Sequence, residues 1–169
     1  MKNIVLTGFM GAGKTAVGRE LSRILGWKII DVDDEIVKAR SMTINEIFSK
    51  LGEPAFRDME TEMIRKVSQN RNVIISTGGG AVLRQENMDM LREHGVIVCL
   101  WASPETVLRR TGGNKERPLL QAEDPLKRIQ ELLEFRKPFY EKADSMIETD
   151  EKSPFHIAKE ILERIGCKR

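Results

Sequence analysis

The feature that most constrains this chain is a glycine-rich octapeptide near its beginning, Gly8-Phe9-Met10-Gly11-Ala12-Gly13-Lys14-Thr15. It follows an apolar run, Ile4-Val5-Leu6, and precedes a helical pattern, which is the context that a phosphate-binding loop requires. The glycines let successive backbone N–H groups face one anion, and the helix start adds its own unpaired amides. The stretch therefore predicts a nucleoside triphosphate site rather than a simple tight turn. The residues expected to bind the phosphates are Gly11, Ala12, Gly13 and Lys14, and Thr15 is expected to bind Mg²⁺.

Composition excludes several other classes of protein. The 169 residues fit one domain, and a net charge of +2 is too small to suggest a nucleic-acid or membrane surface. No segment approaches the ~20 apolar residues of a membrane span, and the N-terminal apolar run is too brief for a signal peptide. Two isolated cysteines, Cys99 and Cys167, fit a reducing compartment. We expect a cytoplasmic protein.

Short apolar runs alternate with helical patterns, which predicts an α/β fold with a parallel sheet and helices on both faces. The final two helices are expected at about 124–142, with apolar positions that include Ile129, Leu133 and Phe135, and at about 154–165. The predicted strands are Asn3–Thr7, Lys28–Asp31, Val73–Ser76, Val96–Trp101 and, more weakly, Met146–Glu148.

Two inserts interrupt this alternation. Residues 33–72 have room for two or three helices, of which the last should start at Pro54, since proline is favoured in a first turn. Residues 111–118 carry glycines and charges but almost no apolar anchors, so they are cheap to move. The ligands of open α/β sheets lie at the carboxyl ends of the strands, so the functional groups should lie there.

Acidic and glycine residues follow two of these strands. Asp31 and Asp33 are two residues apart, and in an extended chain both carboxylates would point the same way, about 6.5–7 Å apart. One could hold Mg²⁺ through water, and the other could accept a hydrogen bond from a substrate hydroxyl; a solvated turn is the alternative. The run Gly78-Gly79-Gly80 suits a place where a ligand touches the main chain.

Three arginines are candidates by position. Arg57 lies three residues before Glu60 on a predicted helix, so the carboxylate could orient the guanidinium, although such a pair is usually a weak surface salt bridge. Arg136 could converge on the same cleft, because arginine is well suited to grip a carboxylate. Arg117 lies in the second insert, where a cation could meet charge that develops in a transition state or could simply solubilise a loop.

In this order and spacing, the chain resembles the shikimate kinases over nearly its whole length. The segments that carry the resemblance are Gly8–Thr15, Asp31–Asp33, Gly52–Arg57, Gly78–Gly80, Arg109–Asn114, Arg117–Leu120, and Arg136 with Pro138 and Tyr140. The resemblance implies one kinase domain over residues 1–169, with a sheet order of 2-3-1-4-5, a substrate-binding insert at about 32–60 and a lid at about 111–123. We expect the protein to be a monomer.

The same resemblance implies transfer of the γ-phosphoryl group of ATP to the 3-hydroxyl of shikimate, with Mg²⁺, in aromatic amino-acid biosynthesis. The implied roles are catalysis for Lys14, Asp33 and Arg117, and metal binding for Thr15 and Asp31. Shikimate would be held by Asp33, Arg57, Gly78, Gly79, Gly80 and Arg136, and Arg110, Arg117 and Pro154 would join the loop at ATP.

The chain departs from the usual family pattern at Ala16, Val32, Val37 and Ser41, none of which removes a catalytic group. The sequence is also compatible with two other functions. A related small kinase for gluconate or a nucleoside monophosphate would share the loop, and gluconate also carries a carboxylate. A nucleotide-responsive binding module would hydrolyse ATP slowly and ignore small hydroxy acids.

Overall fold

One parallel sheet organises the chain in the computed structural model, which describes residues 2–112 and 123–166. Its strands are β1 (Asn3–Thr7), β2 (Lys28–Asp31), β3 (Val73–Ser76), β4 (Gly95–Trp101) and β5 (Ser145–Glu148). They lie in the order β2-β3-β1-β4-β5, so the predicted order is confirmed. The strand predictions were also right, with β4 and β5 each starting one residue earlier than expected.

Helices connect the strands and cover both faces of the sheet. The first of them, α1, packs on α8, while α4 packs on α2, α3 and α5, and α6 packs on α7. Their ranges are α1 (Lys14–Leu25), α2 (Val32–Arg40), α3 (Ile44–Leu51), α4 (Glu53–Val67), α5 (Gln85–His94), α6 (Pro104–Thr111), α7 (Pro125–Tyr140) and α8 (Pro154–Arg164). Among the described residues, no helix has both the length and the apolar character needed to cross a bilayer.

Local signals in the sequence set several of these helix ends. Asp31 caps α2 by accepting hydrogen bonds from the amides of Asp33 and Asp34, and Thr43 with Glu46 forms a capping box at α3.

Two positions where the chain departs from the family pattern fit their surroundings. Val32 is fully buried, and Ser41 ends α2 in the left-handed region at φ 52°, a conformation that glycine adopts more easily.

The register of the central strands creates the functional edge of the sheet. Leu6 of β1 and Asp31 of β2 both pair with Ser76 of β3, so these three strands end level with one another. The phosphate loop, Asp31 and the triple glycine therefore emerge side by side, as the carboxyl-end rule predicted.

Some details of the helices differ from the sequence prediction. The first insert contains three helices, α2 to α4, and α4 begins at Glu53, one residue before Pro54. On α7, Ile129 and Leu133 are buried as expected, but Phe135 is 63% exposed, because it lies on the opposite side of the helix. The central part of the predicted lid, residues 113–122 with Arg117, lies outside the described residues.

Candidate active site

The conformation of the phosphate loop depends on the positive φ angles of its glycines and on hydrogen bonds from Lys14. Gly8, Gly11 and Gly13 have φ values of 136°, 76° and 99°, which residues with side chains rarely adopt. Lys14, the first residue of α1, donates hydrogen bonds from Nζ to the carbonyls of Gly8 at 2.7 Å and Phe9 at 3.0 Å. The loop thus presents its amides and a cation at one helix N-terminus, which is an anion-binding arrangement.

A cleft of about 610 Å³ opens beside this loop and contains most of the predicted site. Its apolar walls include Ile44, Phe48 and Phe56. Among the described residues, two that were predicted to bind ATP do not line the cleft: Ala12, which is buried within the loop, and Pro154, which begins α8. The predicted residues that do line the cleft are Gly11, Gly13, Lys14, Thr15, Asp31, Asp33, Arg57, Gly78, Gly79, Gly80, Arg110 and Arg136.

The expected geometry of the two aspartates was wrong, although both line the cleft. Only Asp31 belongs to the strand, and Asp33 lies in the first turn of α2. The side chain of Asp31 turns back to cap that helix, with Oδ1 3.0 Å from the amide of Asp33 and 3.3 Å from that of Asp34. A helix starts here because the carboxylate satisfies amides that would otherwise lack partners.

Asp33 has the electrostatic character of a proton acceptor. Burial, with the nearby charge of Asp31, raises the pKa of Asp33 to about 6, although the cations Lys14 and Arg57 act in the opposite direction. Its Oδ1 is buried and has no hydrogen-bond partner among the described residues. A carboxyl group that titrates near neutrality and has an unsatisfied oxygen is suited to receive a hydroxyl hydrogen.

Arg57 is held by two carboxylates. Its Nη1 lies 2.9 Å from Glu60 Oε2 and its Nη2 lies 3.1 Å from Glu53 Oε1, and only 11% of its side chain is exposed. Glu60 is fully buried, and burial raises its pKa to about 7 even though Arg57 lowers it. The usual weak surface pair is therefore not what forms here. Glu60 also lines the cleft; its spacing from Arg57 pointed to an orienting role but not to burial or to a place in the site.

Arg136 approaches the same glycine run at Gly79. It is 5% exposed, its guanidinium carbon is 5.5 Å from the centre of the Phe9 ring, and its Nε has no partner among the described residues. A Cβ atom at Gly79 would lie 3.4 Å from Arg136 Nη1, and one at Gly80 would lie 2.3 Å from Arg57 Nη2. The glycines thus give two guanidinium groups room to approach the main chain, and together these cations can bind a carboxylate.

Arg110 joins the nucleotide side of the cleft to the edge of the sheet. Its Nη1 donates to the Gly11 carbonyl and to Thr149 Oγ1, each at 3.2 Å, and its Nη2 donates to the Thr149 carbonyl at 3.1 Å. Thr149 directly follows β5, and α8 begins five residues later at Pro154. Arg110 is thereby fixed against the phosphate loop, on the side where α8 starts.

A magnesium ion would have few protein ligands here. Within residues 2–112 and 123–166, no three His, Cys, Asp or Glu side chains converge to hold a metal. Thr15 and Asp31 both line the cleft, and within the described parts of the chain the two amide hydrogen bonds to the Asp31 side chain go to Oδ1, not to Oδ2. This set fits Mg²⁺, which keeps several waters and is bound through phosphates with one or two protein oxygens.

The fold and the cleft define a phosphate-loop kinase, with the phosphate loop and a pair of largely buried arginines lining one cleft. Residues 10–166 match the family model for shikimate kinase. The chain is 51% identical to the shikimate kinase of Thermodesulfovibrio yellowstonii over 96% of this chain and 94% of the relative. It is 48% identical to that of Caldanaerobacter subterraneus over 96% and 95%, respectively.

A solved structure agrees with these sequence relatives. The shikimate kinase of Acinetobacter baumannii, solved in complex with shikimate, superposes with a TM-score of 0.94 at 39% identity, over 99% of this chain and 94% of that one. The chain belongs to the shikimate kinase family. The resemblance drawn from the motifs is confirmed, and the chain is an enzyme of the kinase class.

Proposed function

We propose that this cleft transfers the γ-phosphoryl group of ATP to the 3-hydroxyl of shikimate, giving shikimate 3-phosphate and ADP in aromatic amino-acid biosynthesis. The observation that carries the proposal is the convergence of Arg57 and Arg136 on the glycine run, beside a phosphate loop in one cleft. A small hydroxy acid held there by its carboxylate would have its hydroxyl groups near Asp33.

The nucleotide would lie along the phosphate loop. Amides of 11–13 and the ammonium group of Lys14 would meet the phosphates, and Lys14 would exchange its bonds to the loop carbonyls for bonds to phosphate oxygens. Arg110 and Pro154 would flank the base, since Arg110 is fixed against both the loop and the turn after β5. Mg²⁺, when bound with Thr15 and through water with Asp31, would neutralise charge on the phosphates.

The acid would be held by charge and by the main chain. Arg57 and Arg136 would grip its carboxylate, with the backbone of Gly78, Gly79 and Gly80 alongside. The buried carboxylate of Glu60 keeps Arg57 in place before the acid arrives, so less side-chain entropy is lost on binding.

The transfer itself depends on positioning and on one proton. The substrate oxygen bonds to the γ-phosphorus while the bond from that phosphorus to the β-phosphate oxygen breaks, and the hydroxyl proton passes to Asp33. The negative charge that remains on the ADP oxygens is met by Lys14 and, from the second insert, by Arg117. Since Arg117 lies outside the described residues, its role rests on the sequence alone.

The proposed domain organisation follows the same division. Residues 1–169 would form one kinase domain in which about 32–60 bind the acid and about 111–123 close over the nucleotide and exclude water. Within the first of these segments, α2 contributes Asp33 and α4 contributes Arg57. We also propose that the enzyme works as a monomer in the cytoplasm, where ATP is available and the buried thiol of Cys99 stays reduced.

A direct comparison of acceptors tests this function. ADP formation is measured with shikimate, gluconate and AMP at equal concentrations, and the product is examined by phosphorus–proton NMR to locate the new ester. We expect turnover with shikimate alone and a phosphate on the 3-oxygen. Faster turnover of gluconate or AMP, or ATP hydrolysis that no acceptor changes, would overturn the proposal.

A further inference from the structure

The phenol of Tyr140 lies behind the glycine run, on the side away from the cleft lining. Its side chain is fully buried at the end of α7, and its hydroxyl donates a hydrogen bond of 2.7 Å to the carbonyl of Gly79. The ring packs edge-on against Trp101 of β4, with centroids 6.3 Å apart. The ring is therefore anchored in the core, and its hydroxyl reaches the glycine run at the Gly79 carbonyl.

The hydrogen bond from Tyr140 acts on one end of a rigid peptide unit, whose other end belongs to Gly80, a residue that lines the cleft. The carbonyl of Gly79 and the amide of Gly80 belong to the same planar peptide group, and no described peptide bond is cis. In a trans peptide the C=O and N–H point in opposite directions, so a carbonyl drawn towards Tyr140 directs the Gly80 N–H away from it. Among the described residues, no acceptor receives a hydrogen bond from this amide, and Gly80 lines the cleft.

This peptide group would be poorly fixed without such a bond. Glycine lies on both sides of it, so the rotations that flip a peptide plane meet little steric resistance there. On the other face of Gly79, a Cβ atom would lie 3.3 Å from the Gly8 carbonyl oxygen and 3.4 Å from Arg136 Nη1. A flip would therefore disturb the surroundings of Arg136 and would also turn the Gly80 N–H out of the site.

We infer that Tyr140 is a positioning residue, whose hydroxyl fixes the Gly79–Gly80 peptide so that the Gly80 N–H donates into the acid site. The inference rests on the proposed function, since it assigns that amide to shikimate. Arg136 lies four residues before Tyr140 on α7, so one helix face carries both the cation and the hydroxyl. The helix thereby places a charged donor and, indirectly, a backbone donor around the same anion.

The hydroxyl is available as a donor throughout the working range of pH. Burial raises the pKa of Tyr140 overall, although the charge of Arg136 and a side-chain hydrogen bond between Arg136 and the phenol act in the opposite direction. The proton therefore stays on the phenol, and the bond does not depend on pH. A hydrogen bond accepted by a peptide carbonyl also polarises the N–H at its far end, which improves that donor.

The test is Tyr140→Phe, which removes the hydroxyl and keeps the ring. Loss of one backbone donor should raise the KM for shikimate about three- to ten-fold, as for one neutral hydrogen bond, with the KM for ATP within about two-fold of wild type. In amide NMR spectra the Gly80 resonance should shift or broaden. Ser22→Ala is the matched control, because Ser22 Oγ donates to the Trp27 carbonyl at 2.6 Å, near the end of α1.

The outcomes separate this inference from the proposed function. A stability loss alone, like that expected for Ser22→Ala, with an unchanged KM for shikimate, would make Tyr140 purely structural and overturn the inference. Equal rises in both KM values would do the same. A wild-type enzyme that does not phosphorylate shikimate would instead overturn the proposed function, whatever the Gly80 resonance does. If Tyr140→Phe is too unstable for kinetics, shikimate titrated into the folded fraction at low temperature and followed by the same resonance gives the answer.

Discussion

Glu60 holds the guanidinium of Arg57 from inside the core, with Oε2 2.9 Å from Nη1 and no part of the glutamate side chain exposed. A buried carboxylate of this kind is costly unless it is paired, so Glu60 and Arg57 depend on each other. The other oxygen of Glu60, Oε1, has no partner among the described residues. Arg57 and Glu60 thus form a buried ion pair at the edge of the acid site, and the charge balance there depends on both residues.

Arg57→Ala should separate binding of the acid from binding of the nucleotide. Losing one charge-assisted hydrogen bond of about 1.5–3 kcal/mol should raise the KM for shikimate by roughly 10- to 150-fold, with the KM for ATP nearly unchanged. Steady-state kinetics with each substrate varied in turn measures this. Arg40→Ala, which removes an exposed arginine paired with Glu62, is the control. Equal effects on both KM values would argue against a carboxylate clamp.

Gly80→Ala should reach the same site by a steric route. The backbone of Gly80, at φ −97°, accepts alanine, but the new Cβ would lie 2.3 Å from Arg57 Nη2, so the guanidinium must move. We expect a raised KM for shikimate in a folded protein. Gly26→Ala should instead affect stability and not substrate binding, because a Cβ there meets nothing within 4 Å but φ is 70°. It should lower the melting temperature and leave the kinetics unchanged, whereas wild-type kinetics for Gly80→Ala would show that a Cβ at this position does not displace Arg57.

Asp33→Asn should lower kcat by about 10²-fold or more, because an amide cannot accept the hydroxyl proton. Since the pKa of Asp33 is raised to about 6, the wild-type rate should also fall as pH drops through that value, when the carboxyl group becomes protonated. The pH dependence of kcat/KM, measured from pH 5 to 8, checks both points. Asp34→Asn, at the exposed neighbouring position, should keep the wild-type rate and profile. Should Asp33→Asn retain the acidic limb, another group produces it.

Glu60→Gln should change how stability depends on pH. Burial raises the pKa of Glu60 from 4.5 to about 7, so the folded state binds this proton more tightly than the unfolded chain does. The resulting stabilisation is complete below pH 4.5 and is lost as pH rises through about 7. Relative to Glu60→Gln, the wild type should lose on the order of 2–3 kcal/mol of unfolding free energy across that window. Urea unfolding at pH 5 and 7.5 measures it, and parallel changes in the two proteins would show that Glu60 does not titrate there.

Arg117→Ala should lower kcat by about 10³-fold or more with little change in either substrate affinity, if this arginine meets charge in the transition state. This prediction comes from the sequence alone, because residue 117 lies outside the described part of the chain. Single-turnover rates combined with equilibrium binding of shikimate and ADP distinguish the two effects. Lys115→Ala, in the same segment, is the control. An unaltered kcat would remove Arg117 from the chemistry.

The sequence alone predicted those features that a short contiguous segment determines. The phosphate loop was recognised because its glycines, lysine and flanking patterns are contiguous, and the strands were recognised because each is a short apolar run. Even the order of the sheet followed once the later motifs identified the family. Phe135 shows the limit of such patterns, because an apolar residue on a helix does not state which way it faces.

Tertiary structure decided how distant groups meet. The sequence assigned the chain to its family and named Asp33, Arg57 and Arg136, but it treated Asp33 as extended chain and left open whether Glu60 orients Arg57 or forms a weak surface pair with it. Only the fold buried Glu60 and brought Tyr140 against the Gly79 carbonyl, 61 residues away. The physical reason is that sequence spacing fixes the direction of neighbouring side chains, whereas burial and pKa depend on which other elements pack around them.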